Sequence, residues 1–254
     1  MMFDPNAFAD QLLAEHDQGV RYHALLEVAK DPEGAYAIQD ALIERLIARG
    51  AGQIVGWKIG LTTSAMQAMA GFSTPVAGAI LASRAVSAGA TVEASCYGRL
   101  GVESEVAVRL CATPPKEASE EVLFNCIDAV AAAFELIDDR GANYAILEAC
   151  TLIADNSWNA GIVLGAAAPA VTIGQLKDVT GTLVRNGGPL GKGENPDALA
   201  VVAWLSEHLR GRGRRLEPGQ WVLTGSVVRT EFASPGEHYQ LTVGELPPVE
   251  LTVG

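Results

Sequence analysis

The sequence predicts an α+β protein in which a helical N-terminal segment packs on a rolled or sandwiched β core. Three observations carry this. Apolar side chains fall at helical spacing through the first fifty residues, behind two Asp-Pro starts. From Ile54 onward, short apolar runs alternate with glycine and proline, the texture of a strand-rich body. The chain has 254 residues, 49% of them apolar, enough for one full core. The expected division is a helical segment over 1–70 packed on a β-rich core over 71–254, which also counts as one domain over the whole length.

The elements follow in order. Asp4-Pro5 caps a helix carrying Phe8, Leu12 and Leu13, and Asp31-Pro32 caps a second that runs through Ala35, Ile38, Ala41, Leu42, Leu46 and Ile47 to Gly50. Ile54–Leu61 reads as a strand. Further strands are expected at Ala77–Leu81, Val102–Leu110, Ala132–Ile137, Gly161–Leu164, Leu183–Asn186, Gln220–Leu223 and Tyr239–Val243. Helices are expected near Ser119–Val130, Tyr144–Ile153 and Asp197–Arg210. No repeat or low-complexity linker appears.

Composition excludes several classes. Eighteen basic against thirty acidic side chains give a net charge of −12, which repels phosphate, so neither nucleic acid nor an anionic membrane is an expected partner. The longest low-polarity run, Ala160–Val171, is shorter than the ~20 residues a bilayer needs. The N-terminus is acidic and reads as no secretory signal, so a cytoplasmic protein with reduced thiols is expected. Cys96, Cys111, Cys126 and Cys150 form no CxxC pair, and the four histidines form no HExxH. No GxSxG, GxGxxG or Walker loop is present; the glycines around Lys192 lack the rest of a phosphate loop.

The chemistry concentrates in a few positions. Glu103 and Glu105, two apart in a strand, share one face, with Val102, Ser104, Val106 and Val108 on the other. A solvated acidic face produces the same pattern. Glu135 lies inside the apolar run from Ala131 to Ile137, where a carboxylate is costly unless paired or bound to a cation; pairing with Arg140 is the plainer alternative. Three carboxylates from two strands suit a hard divalent cation. Lys58 alternates onto the face of Gly56 and Gly60, whose missing side chains leave room beside its ammonium; a lysine snorkelling at a strand edge would look the same. Asp155-Asn156 and Thr224-Gly225-Ser226 close apolar runs and read as turn chemistry.

Taken together, the segments AYAIQ (Ala35–Gln39), GWKIGLTTSAMQ (Gly56–Gln67), the Glu103–Glu105 triplet, AFELIDDR (Ala133–Arg140), IADNSWNAGIVLG (Ile153–Gly165), RNG (Arg185–Gly187), ALAVVAWL (Ala198–Leu205) and LEPGQWVLTGS (Leu216–Ser226) resemble one family in order and spacing. It is the 2-keto-4-pentenoate hydratase / 4-oxalocrotonate decarboxylase group of the fumarylacetoacetate hydrolase superfamily, and the likeness spans Ala35 to the C-terminus. The resemblance implies that superfamily's mixed β-roll with a helical N-terminal segment. It implies Mg²⁺ or Mn²⁺ held by Glu103, Glu105 and Glu135. It also implies a substrate-side catalytic lysine at Lys58 and a substrate-binding hydroxyl at Ser226. The implied activity is a lyase on a small anionic 2-oxo or 2-hydroxydienoic acid from aromatic ring cleavage, first as a hydratase. The alternatives are 4-oxalocrotonate decarboxylase or a non-catalytic paralogue partnering one. A homo-oligomer, or a complex with a related hydratase or decarboxylase, goes with this.

Three positions depart from the group's pattern: Gly101 stands where a basic residue is common, Val76 where hydratases often carry an acid, and Asn195 where a histidine is common. An acylpyruvate hydrolase needs a His/Glu water-activating pair, and His16 and His23 show no such motif. Desolvation and a cation would lower the Lys58 pKa while neighbouring carboxylates would raise it; lowering is the expectation.

Overall fold

The structure is a computed structural model that describes residues 3–25, 31–169, 176–177 and 179–254. The end of the apolar run Ala160–Val171 lies outside them. Helix α1 (Pro5–Asp17) starts where the Asp4 carboxylate accepts the Asn6 N–H, and α2 (Pro32–Leu46) where Asp31 accepts the Gly34 N–H. Both bury one stripe: Ala9, Leu12 and Leu13 from α1, and Ala35, Ile38 and Leu42 from α2.

The strands β1 (Ile54–Gly60), β2 (Val76–Leu81), β3 (Ala85–Ser87), β5 (Leu100–Leu110), β6 (Ile127–Asp138), β7 (Asn159–Leu164) and β11 (Trp221–Phe232) form the large sheet. Their order is β2-β1-β11-β5-β6-β7-β3, with the short β8 (Ala168–Pro169) on β6. A smaller sheet orders β10 (Gly188–Glu194), β9 (Thr180–Arg185), β12 (His238–Val243), β13 (Val249–Val253) and β4 (Ala90–Val92). One core joins Val106, Val108 and Phe134 of the large sheet to Leu183, Tyr239, Leu241 and Leu251 of the small one, and to Leu205 of α6 (Ala198–Gly211). The other face of the large sheet packs under α1, α2 and α5 (Ala149–Ala154), with Leu61, Val76, Ile137 and Trp158 in that second core. Alternation along β5 and β6 therefore sends Val102, Val106 and Phe134 to the small sheet, and Glu103, Glu105 and Glu135 to the helical side.

Several expectations change. Residues 119–130 do not form one helix. The helix there, α4, covers only Glu120–Asn125, and β6 begins at Ile127 because β5 pairs with it along its whole length, from Leu110↔Ile127 to Leu100↔Asp138. The helix expected over Tyr144–Ile153 is a 3₁₀ turn (Tyr144–Ile146) followed by α5, because the Glu148 carboxylate accepts the Cys150 and Thr151 N–H groups and starts a new helix there. Thr224-Gly225-Ser226 does not close a strand: β11 continues to Phe232 and absorbs irregular register against β5 at Leu223/Ser226 and Ser226/Val228. Asp155 ends α5, in keeping with the turn chemistry expected there, and Asn156, Ser157 and Trp158 then turn with φ of 49°, 51° and 60°. That left-handed turn is anchored on β2, where Asn156 accepts from Ala79 N–H and donates to its carbonyl, and the Ser157 hydroxyl donates to the Ala77 carbonyl. The helix α3 (Ser64–Met69) and the strands β10 and β13 carry no signal read from the sequence.

Gly56 also differs from expectation. A Cβ there would lie 2.4 Å from the Trp221 carbonyl oxygen, so its missing side chain admits the backbone of β11 and not a ligand. Gly56→Ala should cost about 1–3 kcal/mol in urea unfolding, since backbone on both sides must move. An unchanged midpoint would show that the β1–β11 approach is not tight.

Candidate active site

Glu103 and Glu135 face each other across β5 and β6, and Glu105 follows two residues along the same face. One carboxylate oxygen from each lies within 4.8 Å of the others. Glu105 and Glu135 are fully buried and Glu103 is half-buried. Lys58, 4% exposed, reaches them from β1, its Nζ 3.1 Å from Glu135 Oε1. At Gly60 a Cβ would stand in ordinary contact with Nζ, at 3.6 Å, and closer than usual, at 3.3 Å, to Val76 Cγ2.

Each carboxylate is held by a named donor. The Gly225 N–H donates to Glu105 Oε2 at 2.8 Å, so the irregular stretch of β11 aims a backbone donor at it. Asn159 Nδ2 donates to Glu135 Oε1 at 2.9 Å. The Thr230 hydroxyl donates to Glu103 Oε1. Glu105 Oε1 and Glu135 Oε2 remain buried without a partner.

The electrostatics follow from this packing. Burial pushes the Glu135 pKa up; Lys58 opposes that and Glu103 adds to it, leaving it at about 7. Burial, then the charges of Glu135 and Glu103, hold Glu105 well above the ordinary carboxylate range. Burial alone would lower Lys58, but Glu135, Glu103 and Glu105 outweigh it, so its pKa is raised, the reverse of the expected direction. Three carboxylates and one ammonium carry a formal charge of minus two, and two buried oxygens lack partners. A divalent cation with oxygen ligands supplies both the missing charge and the missing partner, so the donor set fits Mg²⁺ or Mn²⁺.

A small cavity of about 70 Å³ opens beside Lys58, Glu103 and Thr230, lined also by Tyr144, Ser157 and Trp158. Ser226 is not among its lining residues; its hydroxyl donates to the Val228 carbonyl and lies 3.4 Å from the Ser104 carbonyl. Asn159, Thr230 and the Gly225 N–H were not singled out from sequence. Asn159 lay within a segment already noted, but Thr230 follows the point at which β11 was expected to stop. A larger cavity, about 760 Å³, lies under α1 and contains neither Lys58 nor the three glutamates. Its wall holds a buried ion cluster in which Arg140 bridges Glu15 and Asp155, and His16 Nε2 meets Asp155 Oδ1 at 2.6 Å. Arg140 thus pairs with these acids rather than with Glu135. His23 pairs with Glu15 at 3.0 Å, and neither histidine lines the Lys58 cavity.

No family model matches the chain. It is 31% identical over 226 residues to 2-oxo-hept-4-ene-1,7-dioate hydratase of Escherichia coli, covering 84% of each chain. It is 32% identical over 207 residues to 2-keto-4-pentenoate hydratase of Paraburkholderia phymatum, covering 77% of this chain and 78% of the relative. In fold it is similar to 4-oxalocrotonate decarboxylase from Pseudomonas putida G7, solved with magnesium and adipate, with a TM-score of 0.90 over 98% of this chain and 97% of that one at 24% identity. With its order of motifs and these relatives, the chain belongs to the 2-keto-4-pentenoate hydratase / 4-oxalocrotonate decarboxylase family.

Proposed function

We propose that this protein is a divalent-metal-dependent lyase acting on a small 2-oxo acid or its 2-hydroxydienoate form, first as a hydratase of 2-hydroxypenta-2,4-dienoate. The observation that carries this reading is the buried cluster of Glu103, Glu105 and Glu135 against Lys58. Mg²⁺ or Mn²⁺ held by these three carboxylates would supply a Lewis acid for the negative charge that an enolate develops.

The chain's own residues do the rest. Lys58, kept protonated by its carboxylate neighbours, binds the anionic head of the substrate and can donate a proton from Nζ. Asn159, Thr230 and the Gly225 N–H fix the three carboxylates in place. Ser226, opposite Glu105 on β11, enters the site by pinning the irregular segment that presents Gly225.

The second reading, decarboxylation of 2-oxohex-3-enedioate, is favoured by Val76. Its Cγ2 lies close to Gly60 beside the lysine, where an acid would otherwise help handle water. Ultraviolet assays with 2-hydroxypenta-2,4-dienoate and 2-oxohex-3-enedioate, each with and without Mg²⁺, separate the readings. We expect Mg²⁺-dependent loss of the dienoate. Turnover of the dicarboxylate alone would assign the decarboxylase, and turnover of neither would count against both and favour the non-catalytic paralogue. In the same assay Lys58→Met should lower kcat/KM by about 100-fold or more, with Tm in Mg²⁺ nearly unchanged. Normal turnover would remove Lys58 from the chemistry.

The metal has a test independent of activity. A carboxyl whose pKa is raised on folding binds protons that the unfolded chain has released. The metal-free protein should therefore lose stability as pH rises from about 4.5 through about 7. Mg²⁺ offsets the charge that appears in that window, so its effect on Tm should be small at pH 5 and larger at pH 8. Equal effects at both would argue against binding at this cluster.

The reading extends to a cytoplasmic homo-oligomer. All four cysteines stand unpaired, which accords with a reducing compartment. Light scattering should return a multiple of 26.6 kDa, and a species of monomer mass would contradict it.

A further inference from the structure

The cavity beside Lys58 is asymmetric in charge. Lys58 is the one cation on its lining among the described residues, and it lies 3.1 Å from Glu135. Glu103 adds a negative charge. The polar lining groups are largely committed: Tyr144 Oη donates to Asp139, Ser157 Oγ to the Ala77 carbonyl and Thr230 Oγ1 to Glu103. The Trp158 indole N–H has no partner, but it is a single neutral donor.

Much of the remaining surface is hydrocarbon. Leu61, Val76, Leu147 and Leu152 are buried, and Met66 and Met69 of α3 are 38% and 43% exposed where the cavity meets solvent. A ligand whose 2-oxo acid head lies at Lys58 and Glu103 has these side chains as the rest of its cavity wall. A methyl or vinyl tail is at home there. A second carboxylate would give up its water with no cation among the described lining residues to replace it, and Glu103 would repel it.

We infer that this chain selects 2-oxo acids with an uncharged tail, and that Met66 and Met69 are specificity-determining residues at the tail end. The inference rests on the proposed 2-oxo acid reading and narrows it. Both methionines belong to the short helix α3, capped by the Thr63 hydroxyl on the Met66 N–H, so they are carried by an ordered segment. Their unbranched thioethers fit tails of variable shape.

Calorimetric titration of the full chain in Mg²⁺ tests this with two unreactive acids of equal length, 2-oxohexanoate and 2-oxoadipate. They share the 2-oxo acid head and differ only in the tail terminus. 2-Oxohexanoate should bind at least about tenfold more tightly. Met66→Arg and Met69→Arg, each at an exposed position that tolerates the longer side chain, should shrink that ratio by supplying the missing cation. Equal or tighter binding of 2-oxoadipate by the unaltered protein would overturn the inference while leaving the 2-oxo acid reading in place. Arginine variants that fold, by their Tm, and keep the tenfold ratio would overturn the role of the two methionines. Binding of neither acid would overturn the 2-oxo acid reading itself, and the selectivity with it.

Discussion

Three like-charged carboxylates held on one face of a buried strand pair are the constraint around which this molecule is arranged. Glu103 and Glu135 are opposite neighbours, a pairing that is repulsive in an ordinary sheet. Glu105 adds a third charge two residues on, and burial denies two of them water. The cluster persists because its surroundings oppose that repulsion. Lys58 comes from β1, the Gly225 N–H and the Thr230 hydroxyl from β11, and Asn159 from β7. A formal charge of minus two when all three are ionised, with two orphaned oxygens, still remains. That residue of uncompensated charge is the feature that separates this cluster from a structural ion pair.

The fold supplies these partners by how its layers are ordered. The large sheet places β11 between β1 and β5, so the lysine strand and the β5 glutamates are separated by one strand only. The irregular register of β11 over Leu223–Val228 turns a backbone N–H toward Glu105. On the other flank, the left-handed turn at Asn156–Trp158 brings Ser157 and Trp158 to the cavity and starts β7 at Asn159. Buried hydrogen bonds from Asn156 and Ser157 to β2 hold that turn, which otherwise costs free energy at each residue with positive φ. A second buried ion cluster, Glu15, Arg140, Asp155 and His16, ties α1 to the end of α5. Burial raises the Asp155 pKa, but His16 and Arg140 outweigh it and hold the group below its ordinary value, as expected for a structural pair and unlike Glu105 or Glu135.

The chain's overall charge and its local site pull in opposite directions. A surface of −12 repels a small anion at long range. On the proposed reading, recognition of an anionic 2-oxo acid rests on short-range groups: the Lys58 ammonium and a cation among the three carboxylates. The apolar surface around Leu61, Val76 and the two α3 methionines is the basis of the inferred preference for an uncharged tail, because a carboxylate loses hydration against hydrocarbon.

The sequence by itself determined the composition of the layers and three of the site's carboxylates. Alternation is a local property, so Glu103, Glu105 and the face of Lys58 were legible from their neighbours. Glu135 was legible because a charge inside an alanine-rich run requires a partner, although Arg140, the plainer candidate, pairs elsewhere. Helix caps at Asp4 and Asp31 were likewise local signals. What only the tertiary structure decided depends on contacts across the chain. The extension of β6 back to Ile127 comes from its pairing with β5. The continuation of β11 to Thr230 comes from the irregular pairing with β5 that its glycine and serine accommodate. The use of Gly56 to admit Trp221, and not a ligand, is a matter of strand spacing. The raised pKa of Lys58 required knowing that three carboxylates surround it at once, because burial and charge act on it with opposite signs and only distances decide which prevails.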